Sequence, residues 1–92
     1  MTETIADNSA RSRYELAAEG GIAVAHYERR GDVIIFTHTA VPERLQGRGI
    51  ASNLIEGALA DVRQRGLKVQ PDCPFVARYI ERHPEERDLL VS

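Results

Sequence analysis

Gln46-Gly47-Arg48-Gly49-Ile50-Ala51-Ser52 sets two glycines, a cation and a hydroxyl between an extended apolar run ending at Val41-Pro42 and an amphipathic helical run that begins near Gly49. A turn of this composition leaves several backbone N–H groups unpaired around one point. The first turn of the helix adds more of them and aims the positive end of its dipole at the same place. The chemistry this suits is the holding of an anion, most often a phosphate or pyrophosphate. Arg48 stands where the dipole disfavours a cation by roughly 0.3–1 kcal/mol, a penalty that a bound anion reverses. Ser52 can donate to the same anion. No Gly-Lys-Ser/Thr ending marks a nucleoside-triphosphate loop, and no acidic ribose ligand follows on a later strand as dinucleotide sites require. The competing reading is a glycine turn that is only a turn.

The elements that must position this turn follow from periodicity. Residues 1–11 are small and polar without a period and read as a flexible N-terminal tail. Tyr14, Leu16 and Ala18 alternate with Arg13, Glu15 and Ala17 in a first strand, and Glu19-Gly20-Gly21 turns the chain into a second over Ile22–Tyr27. Arg30-Gly31-Asp32 reverses it again. Val33 to Val41 is the strongest strand signal, β-branched and apolar on both faces, which suits a central strand with helices covering both sides. Pro42 cannot donate to a ladder, so pairing should fail there. Ile50, Leu54, Ile55, Ala58, Leu59 and Val62 recur at the helical period, and Gly66 suits the cap. Leu67–Gln70 is a short strand stopped by Pro71. Phe75, Val76, Tyr79 and Ile80 fit a second helix with Pro74 in its first turn. His83-Pro84 breaks it, leaving Leu89, Leu90 and Val91 to dock on the core or on a partner. The fold class is therefore a mixed α/β sheet: three antiparallel strands, a right-handed crossover helix, a fourth strand parallel to the central one, and a C-terminal helix.

Bulk properties bound the function. A chain of 92 residues, 42% apolar and 28% charged, has room for a single core. A net charge of −2 gives no reason to expect nucleic acid or an anionic membrane as the main partner. No apolar run approaches the roughly 18 residues of a membrane span, and no signal-peptide pattern opens the chain. One cysteine forms no internal disulfide and fits a reducing compartment, so a cytoplasmic protein is expected, either monomeric or a weak homodimer. No grouping of His, Cys, Asp and Glu has metal-ligand spacing.

Val41 to Ala51 resembles the acetyl-coenzyme A signature of the GNAT superfamily of N-acetyltransferases: Gln/Arg-x-x-Gly-x-Gly/Ala, met here by Gln46, Gly49 and Ala51, with a strand before and a helix after. The chain is similar more closely to a group of very small stand-alone acetyltransferase-domain proteins. They share Thr37-His38-Thr39, the stretch from Pro71 to Phe75, Tyr79-Ile80 and His83-Pro84-Glu85. The likeness runs from about Tyr14 to Leu90, so residues 12–92 read as one acetyltransferase-like domain. It implies acetyl-coenzyme A as cosubstrate, with no metal, and an amine as acceptor. Backbone N–H groups of Gln46, Gly47, Arg48, Gly49, Ile50 and Ala51, with Ser52, would hold the pyrophosphate. Val41 and its neighbours would pair with the pantetheine arm as an added strand, and the central and fourth strands would splay apart around the thioester. Arg44, Arg63, Arg65 or Lys68 would meet the 3′-phosphate.

Acetyl transfer needs a neutral amine, a polarised thioester carbonyl and a proton for the departing thiolate. The resemblance places Tyr79 as the thiolate's acid, against the alternative of a core tyrosine. Cys73 falls near the thioester and is a nucleophile if the adjacent helix N-terminus lowers its pKa; an inert buried thiol is the alternative. His38 is a candidate proton relay for the amine, against a histidine hydrogen-bonded under a helix. Some relatives carry a glutamate base near the start of the central strand, where this chain has Val33. The implied mechanism is direct attack in a ternary complex, with His38 or a water as base and an acetyl-Cys73 route as the variant. A coenzyme-A-binding module without catalysis and a structural partner-binding domain are the rivals. The acidic end of the chain (Glu81, Glu85, Glu86, Asp88) suggests a cationic acceptor, small molecule or protein, such as a polyamine or a lysine side chain, against the alternative of a solvated acidic surface.

Overall fold

The computed structural model describes residues 4–91. Five strands form one sheet in chain order: β1 (Thr4–Asn8), β2 (Arg13–Ala18), β3 (Gly21–Arg30), β4 (Val33–Ala40) and β5 (Lys68–Pro71). The first four are antiparallel neighbours and β5 runs parallel to β4. Helix α1 (Ile50–Gln64) makes the crossover, and α2 (Pro74–Arg82) follows β5. The expected mixed sheet, crossover and C-terminal helix are all present.

Two expectations are corrected. Residues 1–3 lie outside the described residues, but from Thr4 the chain is an edge strand rather than a tail, paired to β2 from Thr4↔Ala17 to Asn8↔Arg13. Its anchors are side chains that no short-range pattern announces. Ile5 packs across Gly57 of α1, where a Cβ would overlap the Ile5 Cδ1 atom. Asp7 accepts the Tyr27 hydroxyl at 2.6 Å and pairs with Arg65 at 3.1 Å; Arg65 in turn meets Asp61, which accepts the Tyr14 hydroxyl at 2.7 Å.

The second correction concerns the layers. The core takes Tyr14, Leu16, Ala23, Ala25, Tyr27, Ile34, Phe36 and Val69 from one sheet face, and both helices contribute to it. The other face, with Glu15, Val24, His26, Glu28, Ile35 and His38, carries no described helix. Ile35 is nevertheless only 7% exposed there, outside the main core, with Glu28 and Gln70 as its neighbours across the ladder.

Within the core, the six α1 residues at helical spacing are the six that are buried. Tyr14, Tyr27 and Phe36 form an aromatic group with ring centroids 5.5 to 6.4 Å apart. The C-terminal apolar patch docks: Leu89 is buried, Leu90 bridges Val69 in parallel, and the Val91 N–H donates to the Val69 carbonyl at 3.1 Å.

One irregularity governs the site. The pairs His26↔His38 and Tyr27↔Phe36 leave Thr37 as an extra residue on β4, a bulge. The alternation that puts Ile34 and Phe36 on the helix face is thereby shifted by one residue. Thr39, opposite the buried Ala25, now faces the helices, and His38 turns with His26 to the other side, their rings stacked at 6.2 Å.

The tyrosine–carboxylate anchors predict an alkaline transition. Burial first, and Asp7 second, push the Tyr27 hydroxyl up to about 12 from its ordinary 10.0; Tyr14 is raised too, by burial and then by Asp61. The folded state thus holds these phenol protons more tightly than the unfolded chain does. That stabilisation is complete below pH 10 and is lost as pH rises toward 12. The urea midpoint should fall through this window, and Tyr27→Phe should flatten the fall.

Candidate active site

β4 ends at Ala40, and Pro42 leads into a single 3-10 turn, Glu43–Leu45, closed by the Leu45 N–H on the Pro42 carbonyl at 2.8 Å. Leu45 is buried and fixes this turn on the core. The chain then passes through two left-handed residues, Gly47 (φ 81°) and Gly49 (φ 74°), before α1 begins at Ile50. Glycine is favoured at both because a side chain there strains the backbone.

Gly49 caps the helix without any side-chain hydrogen bond, and no acidic residue lies in the first turn of α1. The N–H groups of that turn, which have no partner within the helix, thus receive no hydrogen bond from an N-cap side chain and face no carboxylate of their own turn. A cavity of about 240 Å³ lies against them, lined by Val41, Gln46, Gly47, Gly49, Ile50, Ala51 and Ser52. All the sequence-predicted coenzyme ligands except Arg48 meet there. The Gln46 side-chain amide donates to the Val41 carbonyl at 3.1 Å, tying turn to strand end.

Leu45 and Phe75 complete the cavity wall and were not among the expected ligands. Phe75 is 38% exposed on α2; its position in an apolar helical pattern resembled that of a core residue, and only the packing of α2 beside α1 brings it to the glycine turn. The expected phosphate cations sort themselves by partner. Arg63 is held by Asp88 at 2.7 Å and by Glu86 at 2.9 Å, Arg65 by Asp7 and Asp61, and Lys68 donates to the Asp88 carbonyl at 2.8 Å. Arg44 and Arg48, beside the turn, have no ion pair among the described residues. The same contacts occupy much of the acidic C-terminal end that had suggested an acceptor site.

The strands part just where β5 stops. The last β4–β5 pair is Phe36↔Pro71, and the Cys73 N–H closes on the Phe36 carbonyl at 2.8 Å. Beyond it, β4 from Thr37 onward has no partner on that side. Cys73 is buried at the mouth of this split, its sulfur 3.3 Å from the Thr39 hydroxyl. His38 is exposed on the helix-free face, not under a helix. Tyr79 is buried on α2 one turn beyond Phe75, its ring stacked on His83 at 3.9 Å while His83 Nδ1 meets the Tyr79 carbonyl at 2.7 Å. Burial, and then the charges of Glu56, Glu86 and Glu85, raise the Tyr79 hydroxyl above its ordinary range, so it stays protonated at neutral pH. Cys73 and His38 thus lie on opposite faces of the sheet beside the split, while Tyr79 contacts His83.

The sequence pattern of the GCN5-related N-acetyl-transferase family matches residues 13–89, which takes in β2 through α2, the glycine turn and the split. The chain belongs to this family. Similar members include the proteins named NATD1 of Gallus gallus and Mus musculus, each 38% identical over 63 residues, covering 67% of this chain and 57% of the relative. The NATD1 protein of Homo sapiens has the same identity over 56% of its length. The match spans little more than half of these relatives. Among the described residues no helix is long and apolar enough to cross a membrane.

A Cβ on Gly49 meets nothing within 4 Å, so Gly49→Ala isolates the cost of the left-handed backbone. We expect it to lower the unfolding free energy by about 1–2 kcal/mol, read by urea denaturation, with the native circular dichroism kept.

Proposed function

We propose that the protein is an acetyl-coenzyme A-dependent N-acetyltransferase acting on an amine by direct attack in a ternary complex. The observation that carries this reading is the acid-free N-terminus of α1 behind two left-handed glycines, opening on a cavity that Val41, the residue after β4, helps to line. The amides of Gly47 through Ser52 seat the pyrophosphate, with Arg44 and Arg48 near enough to add charge. The edge of β4 from Thr37 to Ala40 that β5 leaves without a ladder partner offers donors and acceptors to the amides of the pantetheine arm, as an added strand would use them. Bound acetyl-coenzyme A supplies the activated acyl group.

The chain's own residues then manage protons. His38, or a water beside it, takes the proton from the attacking amine. Tyr79 holds a proton for the departing thiolate. A second route is favoured by one contact, the Cys73 thiol against Thr39 at the split. The Cys73 sulfur, losing its proton, forms a thioester with the acetyl carbon as the carbon–sulfur bond to coenzyme A breaks and the coenzyme leaves as its thiol. The amine then attacks this thioester and releases the Cys73 thiol. A reducing cytoplasm suits the single cysteine.

Two measurements test this. Coenzyme A titrated into the labelled protein should shift the amides of Gly47 and Gly49, and Gly49→Glu should abolish binding by placing bulk and negative charge in the seat. Near-normal affinity in a folded Gly49→Glu variant would overturn the proposal, and binding without turnover across a broad amine panel would leave a coenzyme-binding module. Where turnover is found, Tyr79→Phe should lower kcat about a hundredfold at unchanged coenzyme affinity. Cys73→Ser should retain most activity; its loss, with an acetyl adduct on the wild-type chain by intact mass, would favour the covalent route.

A further inference from the structure

The helix-free face carries its own cavity, of about 240 Å³, apart from the one at the glycine turn. Its floor is Val33 and Ile35 of β4. Arg30 and Glu28 of β3 form one wall, and Gln70 with Asp72 the other. The register sets their order: Arg30 is opposite Val33, while Glu28 and Gln70 flank Ile35. The groove thus runs along β4 from the hairpin end to the bulge residue Thr37, four residues on and about 13 Å away at 3.3 Å per residue. Thr37 and Asp72 end it at the point where β4 and β5 separate, Asp72 being the residue before Cys73.

Charge is distributed along this groove in a definite order. Carboxylates stand at the middle (Glu28) and at the split (Asp72); the one guanidinium in the lining, Arg30, is at the far end. Glu28 and Arg30 have no ion pair among the described residues. Asp72 accepts one hydrogen bond, from the Gln70 amide at 3.0 Å, which leaves most of its acceptor capacity open. Lys68 is opposite Val33 in the ladder, but its ammonium is turned to the Asp88 carbonyl. His38 follows Thr37 on the same face, just past the end of the groove.

We propose that this groove is the acceptor site, and that the acceptor is a small amine carrying a carboxylate at its far end, of the size of a long-chain amino acid or a dipeptide. The inference rests on the acetyltransferase reading above. The ammonium lies toward Asp72 and Glu28, the carboxylate pairs with Arg30, and the apolar stem lies on Val33 and Ile35. The amine then reaches the split from the face opposite Cys73, with His38 beside its path to take the proton. In the acidic C-terminal end, the Glu86 and Asp88 carboxylates are engaged by Arg63.

The test uses the full chain saturated with coenzyme A and titrated with lysine, with a lysyl dipeptide and with cadaverine, the diamine that lacks lysine's carboxylate. Amide shifts of Glu28, Ile35 and Gln70 report the groove, and those of Gly47 and Gly49 report the coenzyme seat. The carboxylate-bearing amines should shift the groove amides at lower concentration than cadaverine does. Arg30→Gln should weaken them about tenfold more than it weakens cadaverine, and Glu28→Gln should weaken all three. With acetyl-coenzyme A the same ratios should appear in KM. Unmoved groove amides, or equal weakening of lysine and cadaverine in Arg30→Gln, would overturn the assignment. Groove shifts with no coenzyme-dependent shift at Gly47 and Gly49 would sustain the groove and sink the acetyltransferase reading instead.

Discussion

Pro71 has no amide hydrogen to give to a ladder, and it lies opposite Phe36, midway along the central strand. Parallel pairing between β4 and β5 therefore ends there, and the chain turns through Cys73 into α2 instead of continuing beside β4. The second half of β4 is left with a row of unpaired backbone groups, in the interior of a sheet where such groups are normally consumed. An edge of this kind is a liability unless something pairs with it. Here it leads, through Pro42 and a single 3-10 turn whose Leu45 and Gln46 N–H groups are bonded within the turn, to the glycine turn and the start of α1. The position of one proline thus separates a closed five-stranded sheet from a sheet with a gap in it.

The Thr37 bulge acts on the same gap. By adding one residue to β4 it exchanges the faces of everything after it: Thr39 meets Cys73 on the helix side, and His38 joins His26 on the open side. In an unbroken strand His38 would share a face with Ile34 and Phe36, under the helices, and Thr39 would be outside. The two candidate groups at the split therefore address it from opposite faces. That arrangement suits a reaction in which donor and acceptor arrive from different sides.

Electrostatic pairing also narrows the site. Five basic residues lie in the middle of the sequence, yet Arg63 and Lys68 are engaged by the C-terminal acidic segment and Arg65 by Asp7 and Asp61. Helix geometry agrees, since Arg63 is thirteen residues from Ile50 and so about 20 Å along α1 from the anion seat. What remains at the turn is Arg44 and Arg48. Glu86 and Asp88 thereby clasp the end of α1 through Arg63, beside the docked Leu89 and Leu90.

Local chemistry alone was enough for α1, whose six apolar positions at helical spacing are its buried ones, for the left-handed glycines before it, and for the strand ends at Pro42 and Pro71. In each case the residue type forces the backbone within a few neighbours, and the anion seat is built from such backbone. Tertiary structure decided the rest. β1 has no period of its own and is a strand because Gly57 makes room for Ile5 and because Asp7 finds Tyr27 and Arg65 far along the chain. The uncovered sheet face, the exposure of His38, the place of Phe75 beside the coenzyme cavity and the partners of Arg63 and Arg65 all depend on register and on which helix lies over which strand. These are set by contacts between residues distant in sequence, and a one-residue bulge is enough to reverse them.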